Sequence, residues 1–306
     1  MTTQTTVRTD DGLSLHVEVD PGPPGAPTVV MVHGFTASLE EFAGQRATLA
    51  GRATVVLYDQ RGHGRSRVSG RVRRATIEQT GRDLDAVLSQ IVPAGPVVLL
   101  GHSMGGMTLM ALARLFPSLF GSRVAGVFLL ATSAGGLVER GVAGVLVRLA
   151  RALGVLGLLL GWFRLVAPLL ERLRRRGSAL GRVFYRRSLF GRDDADPEQV
   201  RVVQELLEQT RVQTIAAFYP TLIDHDEEAA LAVLAAVPVT ILVGDSDRLT
   251  PPAHSRRMAA LLPDAELVVV PGAGHSVNLT RPAVVDDALL RLLERSSGVR
   301  AASGAA

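Results

Sequence analysis

Gly101-His102-Ser103-Met104-Gly105 follows directly on the apolar run Val97 to Leu100, and this junction decides how the rest of the chain is read. A serine framed by two glycines after a strand-like run has the pattern of a nucleophile elbow. A serine hydroxyl is a poor nucleophile until a tight turn exposes it and a base removes its proton. Gly101 and Gly105, having no Cβ, would let strand and helix approach closely while the apex residue takes a strained backbone conformation. Alone, the five residues are a short pattern that ordinary turn use of Gly and Ser also explains.

Outward from the elbow, the continuous apolar runs Thr28 to Val32, Thr54 to Tyr58, Val124 to Leu130, Val239 to Val243 and Leu267 to Val270 have the signature of strands buried on both faces of a parallel sheet. Helical periodicity follows several of them, including Met104 to Phe116 and a helix expected to start near Pro252. Thr5 to Thr9 and Leu13 to Val19 alternate about Asp10-Asp11-Gly12, which predicts an antiparallel hairpin. The expected fold class is therefore α/β, with a mostly parallel central sheet and an N-terminal hairpin.

The interval 135–237 contains no convincing strand pattern and reads as a helical cap inserted into the core. The expected organisation is a first core part over 1–134, the cap over 135–237, a second core part over 238–295 and a disordered, small and polar tail over 296–306. Within the cap, Ala152 to Phe163 is uninterruptedly apolar and carries Trp162, the only tryptophan. Arg148, Arg151 and Arg164 bracket this stretch too closely for a spanning helix of about 20 apolar residues. It reads as a cap helix that packs on the core or lines a greasy pocket, which makes Trp162 and Phe163 pocket candidates. The sharper alternative is a membrane-surface lid, with Trp162 and Phe163 in the interface and Arg172 to Arg176 at anionic headgroups.

Composition narrows the chemistry. The 306 residues contain no cysteine, which removes disulfides, thiolate metal sites and cysteine nucleophiles together. All 33 basic residues other than histidine are arginine and the formal charge is +4. These arginines are interleaved with acids along the chain, so nucleic acid is not an expected partner. The runs Arg71, Arg73, Arg74 and Arg172 to Arg176 read as solvated faces. Met1 to Asp10 is polar, so no secretory signal or N-terminal anchor is expected and the cytoplasm is the expected address.

If Ser103 is a nucleophile, an acid and then a histidine should follow on loops after later strands, at the carboxyl ends where ligand sites form. Asp247 stands in Gly244-Asp245-Ser246-Asp247 after one run, and His275 in Pro271-Gly272-Ala273-Gly274-His275 after the next. Asp245 is the competing acid. Met104, just after the serine at a helix start, offers a backbone N–H to an oxyanion. His33 and His102 flank this machinery and are expected to orient loops beside the substrate. Asp59 is expected to anchor the turn that holds His63. His225 with Asp224, Asp226 and Glu227 reads as a cap turn rather than a metal site, so no metal or cofactor is expected.

From about Val7 to Glu294 the chain resembles the α/β-hydrolase superfamily. The resemblance is carried by His33-Gly34-Phe35, by Asp59-Gln60-Arg61-Gly62-His63-Gly64-Arg65-Ser66, by the Ser103 elbow extended with Gly106, and by the Asp247 and His275 loops. It implies Ser103 as nucleophile, His275 as general base and Asp247, at the family's Gly-x-x-Asp spacing from Gly244, as the orienting acid. It also implies the Phe35 N–H as the second oxyanion donor. Serine at the elbow argues against haloalkane dehalogenases and epoxide hydrolases, which use aspartate there. Gly-His-Ser-Met-Gly-Gly resembles many carboxylesterases and monoacylglycerol lipases. Together with the apolar cap it implies a serine ester hydrolase acting on lipophilic esters. A thioesterase, lactonase, carbon–carbon bond hydrolase or cofactor-free haloperoxidase shares the same triad, and a low-turnover ligand-binding protein is the alternative outside enzymes.

Overall fold

The computed structural model describes residues 1–67, 74–137, 141–174, 189–190 and 197–303. Arg71, Arg73, Arg175 and Arg176 lie outside them. Eight strands form one sheet: β1 (Thr3–Arg8), β2 (Ser14–Asp20), β3 (Thr28–Val32), β4 (Thr54–Tyr58), β5 (Val97–His102), β6 (Val124–Leu130), β7 (Val239–Gly244) and β8 (Glu266–Val270). Their spatial order is β1-β2-β4-β3-β5-β6-β7-β8. β1 and β2 form the expected hairpin and β2 pairs antiparallel with β4, while β4 through β8 run parallel.

The apolar runs are continuous because each strand is covered on both faces. Along β3, Val30 and Val32 enter one core while Val29 and Met31 enter the other. Leu99 and Val98 divide in the same way on β5, and Ile241 and Leu242 on β7. That is the period of two in a strand, with apolar contacts waiting on each side.

Two helical layers supply those contacts. α1 (Ala43–Leu49) lies on one face; α2 (Ile77–Ile91) and α3 (Met104–Leu115) lie on the other. Between β6 and β7 come α4 (Gly141–Ala152), α5 (Leu156–Arg174), α6 (Pro197–Gln209), α7 (Val212–Ile223) and the short α8 (Leu231–Leu234). α9 (Pro252–Leu261) links β7 to β8, and α10 (Val277–Thr280) and α11 (Pro282–Ser303) close the described chain.

Three expectations change here. The helical insertion is shorter than 135–237, because its ends already meet at a bridge between Gly135 and Asp226, where the Glu227 N–H donates to the Ala134 carbonyl at 2.6 Å. Beyond that closure Ala230, Leu231, Leu234 and Val237 pack into the main core beside α3. Second, the apolar stretch Ala152 to Phe163 is broken at Gly154, whose φ of +69° turns the chain between α4 and α5. Glycine takes that left-handed conformation without the Cβ penalty.

Third, residues 296–303 continue α11 instead of forming a disordered tail; 304–306 lie outside the described residues. Ser296 and Ser297 donate to the Leu292 and Leu293 carbonyls four residues back, at 2.8 and 2.9 Å.

Candidate functional site

The backbone at Ser103 has φ 51° and ψ −117° between β5 and α3. A non-glycine residue held there costs on the order of 1–3 kcal/mol and persists only when its surroundings impose it. They do. A Cβ at Gly105 would lie 1.9 Å from the Val32 carbonyl oxygen, and one at Gly101 would lie 2.6 Å from Gly105 backbone atoms. The Ser103 N–H donates to the Leu130 carbonyl at 2.9 Å, and Thr132 Oγ1 donates to the Ser103 carbonyl at 2.7 Å. The serine therefore sits at a crowded, tied-down corner at the start of α3. The first N–H groups of a helix, Met104 among them, have no intrahelical acceptor.

His275 and Asp247 come from the loops after β8 and β7. His275 Nδ1 lies 2.8 Å from Asp247 Oδ2. Asp247 Oδ1 accepts from the Leu249 and Thr250 amides at 2.8 and 2.9 Å, and Oδ2 also accepts from Thr250 Oγ1 at 2.8 Å. Burial alone would push this carboxyl up, but the adjoining His275 and the Thr250 donors outweigh it and hold Asp247 below its ordinary value. An ionised carboxylate only accepts. Nδ1 is thus the ring nitrogen that donates to Asp247, and Nε2 is the one left for another partner. Asp245 is turned elsewhere, its Oδ1 accepting from the Gly272 amide at 2.9 Å.

Ser103, His275, His102, Met104 and Phe35 all line one cavity of about 450 Å³, within the usual range for small-molecule sites. Its far wall is apolar: Leu206, Leu207, Ile215, Leu222 and Leu279.

Of the four residues expected around a substrate pocket, His102 alone lines this cavity. His33 is fully buried behind the loop; its Nδ1 faces the Gly34 carbonyl at 2.7 Å and its Nε2 accepts from the Gln60 amide at 2.9 Å. Trp162 points away and is 63% exposed. Phe163 packs with Ala167 and Leu170 against Val212 and Ala216 of α7. An apolar residue on a helix with two apolar faces gives no sequence sign of which face turns inward.

Asp59 holds its turn as expected, Oδ1 accepting from the Leu39 amide at 2.9 Å and Oδ2 from the Arg65 amide at 2.7 Å. Burial lowers His63 in that turn to about 3, so it is uncharged at neutral pH. His225 directs Nε2 to the Ser133 carbonyl at 2.9 Å, where burial lowers it too.

Two residues of the site escape the sequence reading: Thr250, described above, and Glu41. Glu41 is buried, and its Oε1 lies 2.7 Å from His102 Nδ1 while its Oε2 accepts from the Gly34 amide at 2.8 Å. His102 Nε2 in turn lies 3.1 Å from the His275 carbonyl oxygen. Burial would push Glu41 up and His102 down, yet the charge each presents to the other reverses both, leaving Glu41 lowered and His102 raised. A buried ion pair thus ties the Gly34 loop, the elbow and the His275 loop together. A glutamate in Ser38-Leu39-Glu40-Glu41 reads as surface, because nothing local marks which of two adjacent acids is buried.

Comparison with known proteins agrees with this architecture. An uncharacterised protein of Mycobacterium tuberculosis is 27% identical over 305 residues, covering 92% of this chain and 84% of that protein. A thermophilic esterase from Thermogutta terrifontis superposes with a TM-score of 0.72 at 24% identity, covering 96% of this chain and 99% of that one. An enol-lactonase from Burkholderia xenovorans superposes with a TM-score of 0.73 at 22% identity, covering 95% and 100%. At those identities the two solved structures carry the fold alone. The sequence profile of the α/β hydrolase fold matches residues 27–282, which is most of the chain. With its sheet order, its strained serine between β5 and α3, and that match, the chain belongs to the α/β-hydrolase family.

Proposed function

We propose that the protein is a serine ester hydrolase that cleaves lipophilic carboxylic esters through an acyl-enzyme intermediate. The observation that carries this reading is the presence of Ser103 and the Asp247-paired His275 on the wall of one largely apolar cavity. In the first step Ser103 Oγ attacks the ester carbonyl carbon while His275 Nε2 takes its proton. The Met104 and Phe35 amides stabilise the oxyanion of the tetrahedral intermediate, and its collapse expels the alcohol, which receives the proton from His275. Water then repeats the sequence on the acyl-enzyme and releases the acid. Asp247 keeps the imidazole in its tautomer and stabilises the imidazolium. Leu206, Leu207, Ile215 and Leu222 supply the apolar surface for the acyl chain.

A chain-length series of p-nitrophenyl and glycerol esters, with thioester and lactone counterparts, tests the substrate class. Each buried CH₂ contributes about 0.8 kcal/mol, so kcat/KM is expected to rise about fourfold per added CH₂ until the cavity is filled. Esters should be cleaved faster than their lactone counterparts. A preference for acetyl over octanoyl substrates would contradict the assignment.

A further inference from the structure

α5 is apolar on two opposite faces. Phe163, Ala167 and Leu170 form the inner one and pack on α7. Leu158, Trp162, Leu165 and Leu169, at i, i+4, i+7 and i+11, form the outer one and are 73%, 63%, 78% and 56% exposed. On α4, Val145, Leu146 and Leu149, with Leu153 just beyond its end, are also more than half exposed. A helix apolar all round is ordinarily buried. A contiguous bare apolar face of this kind marks an interaction surface.

We propose that this outer face of the α4–α5 pair docks the protein on a lipid bilayer surface bearing anionic headgroups. The charge on the pair selects the occupant. Its sequence carries Arg148, Arg151, Arg164, Arg172 and Arg174 against the single acid Glu171. Glu171 turns inward to accept from the Val212 amide at 2.8 Å, Arg164 turns inward to donate to the Ala216 carbonyl at 3.3 Å, and Arg151 pairs with Asp224, while Arg148 and Arg172 are exposed. Exposed arginines such as Arg148 and Arg172 on the helices that carry a leucine and tryptophan stripe fit an interface in which apolar side chains enter the acyl boundary and guanidiniums meet phosphates. A second copy is disfavoured, because a two-fold interface would set the arginines of one pair against those of the other.

Geometry favours lying on the bilayer over crossing it. Among the described residues no single helix is long and apolar enough to span, and the segments Val145–Ala152 and Leu156–Arg172, which together have the length and composition of a span, are bent by 111° at their break. The surface also adjoins the cavity: α7, which receives the inner face of α5 through Val212 and Ala216, carries the cavity-lining Ile215, Tyr219 and Leu222. A lipophilic molecule leaving the bilayer would have one helix to pass.

Trp162 is the only tryptophan, so tryptophan emission reports on this surface alone. The expected result is a blue shift of emission with phosphatidylcholine vesicles containing phosphatidylglycerol, and a weaker one with phosphatidylcholine alone. Leu158→Ser/Leu165→Ser, at exposed positions, should keep the circular dichroism spectrum and bind at least about tenfold more weakly. Arg148→Gln/Arg172→Gln should lose the preference for the anionic vesicles. Unchanged Trp162 emission with vesicles would overturn the proposal, as would undiminished binding by the leucine variant. A dimer that forms without lipid and dissociates in the leucine variant, together with no vesicle binding, would assign the face to a second copy instead.

Discussion

Ser103→Ala is expected to lower kcat for a p-nitrophenyl ester by on the order of 10⁴–10⁶-fold, leaving the protein folded. The size of the loss follows from the proposed covalent step. Without Oγ no acyl-enzyme forms, and His275 with the oxyanion amides retains only a small residual acceleration. The side chain lies on a cavity wall rather than in either core, so the cost in stability should stay below about 1 kcal/mol. Circular dichroism and a thermal melt beside the kinetics separate lost chemistry from lost structure. A variant that retained more than a hundredth of the wild-type rate would remove Ser103 from the mechanism.

His102→Leu should be the most destabilising change at the site, and its effect should depend on pH. In the wild type the Glu41–His102 pair has a defined window. Glu41 is lowered from 4.5 and contributes stability above that value, lost as pH falls through its lowered value. His102 is raised from 6.5 and contributes stability below that value, lost as pH rises through its raised value. The pair is therefore at full strength between roughly 4.5 and 6.5. Removing the imidazole leaves Glu41 buried without its counter-charge. Binding a proton at pH 7 to a carboxyl whose ordinary value is 4.5 costs about 3 kcal/mol. The breaking of a buried pair costs a similar amount, about 3–5 kcal/mol.

The sign then reverses for the variant. Its Glu41 is raised rather than lowered, so His102→Leu should regain stability on acidification from pH 7 toward 5, by up to about 1.4 kcal/mol per pH unit. Denaturant melts of the variant and of Glu41→Gln/His102→Leu across that range check this. Removing both partners should restore most of the loss and flatten the pH dependence. A single variant as stable as the wild type at pH 7 would show that the pair holds nothing together.

How much of this was legible in the sequence depends on how local the signal is. The strands were readable because Val29 to Val32 and Val127 to Leu130 must be apolar at every position to meet a core on each face. The elbow was readable because Gly101 and Gly105 are forced by contacts of 2.6 and 1.9 Å that no Cβ could share. Asp247 and His275 stood out through their place after consecutive strands, and Asp245 was separable from Asp247 only once the Gly272 amide was seen to hold it.

What stayed hidden is set by long-range packing. Residues 228–237 begin with helical turns and carry no strand pattern, like the insertion before them, yet their leucines pack into the main core beside α3. Trp162 and Phe163 are adjacent on one helix and face opposite ways, one to solvent and one to α7. Glu41 is joined to His102 across 61 positions of sequence, a separation at which periodicity carries no information.

The most direct test of the central assignment is to treat the wild type with a fluorophosphonate and map the adduct by peptide mass spectrometry. Attack by Ser103 predicts a single adduct in the peptide carrying Gly101 to Gly105, loss of ester hydrolysis in proportion to labelling, and no adduct in Ser103→Ala. An inert wild-type protein, or hydrolysis that survives complete labelling of Ser103, would contradict it.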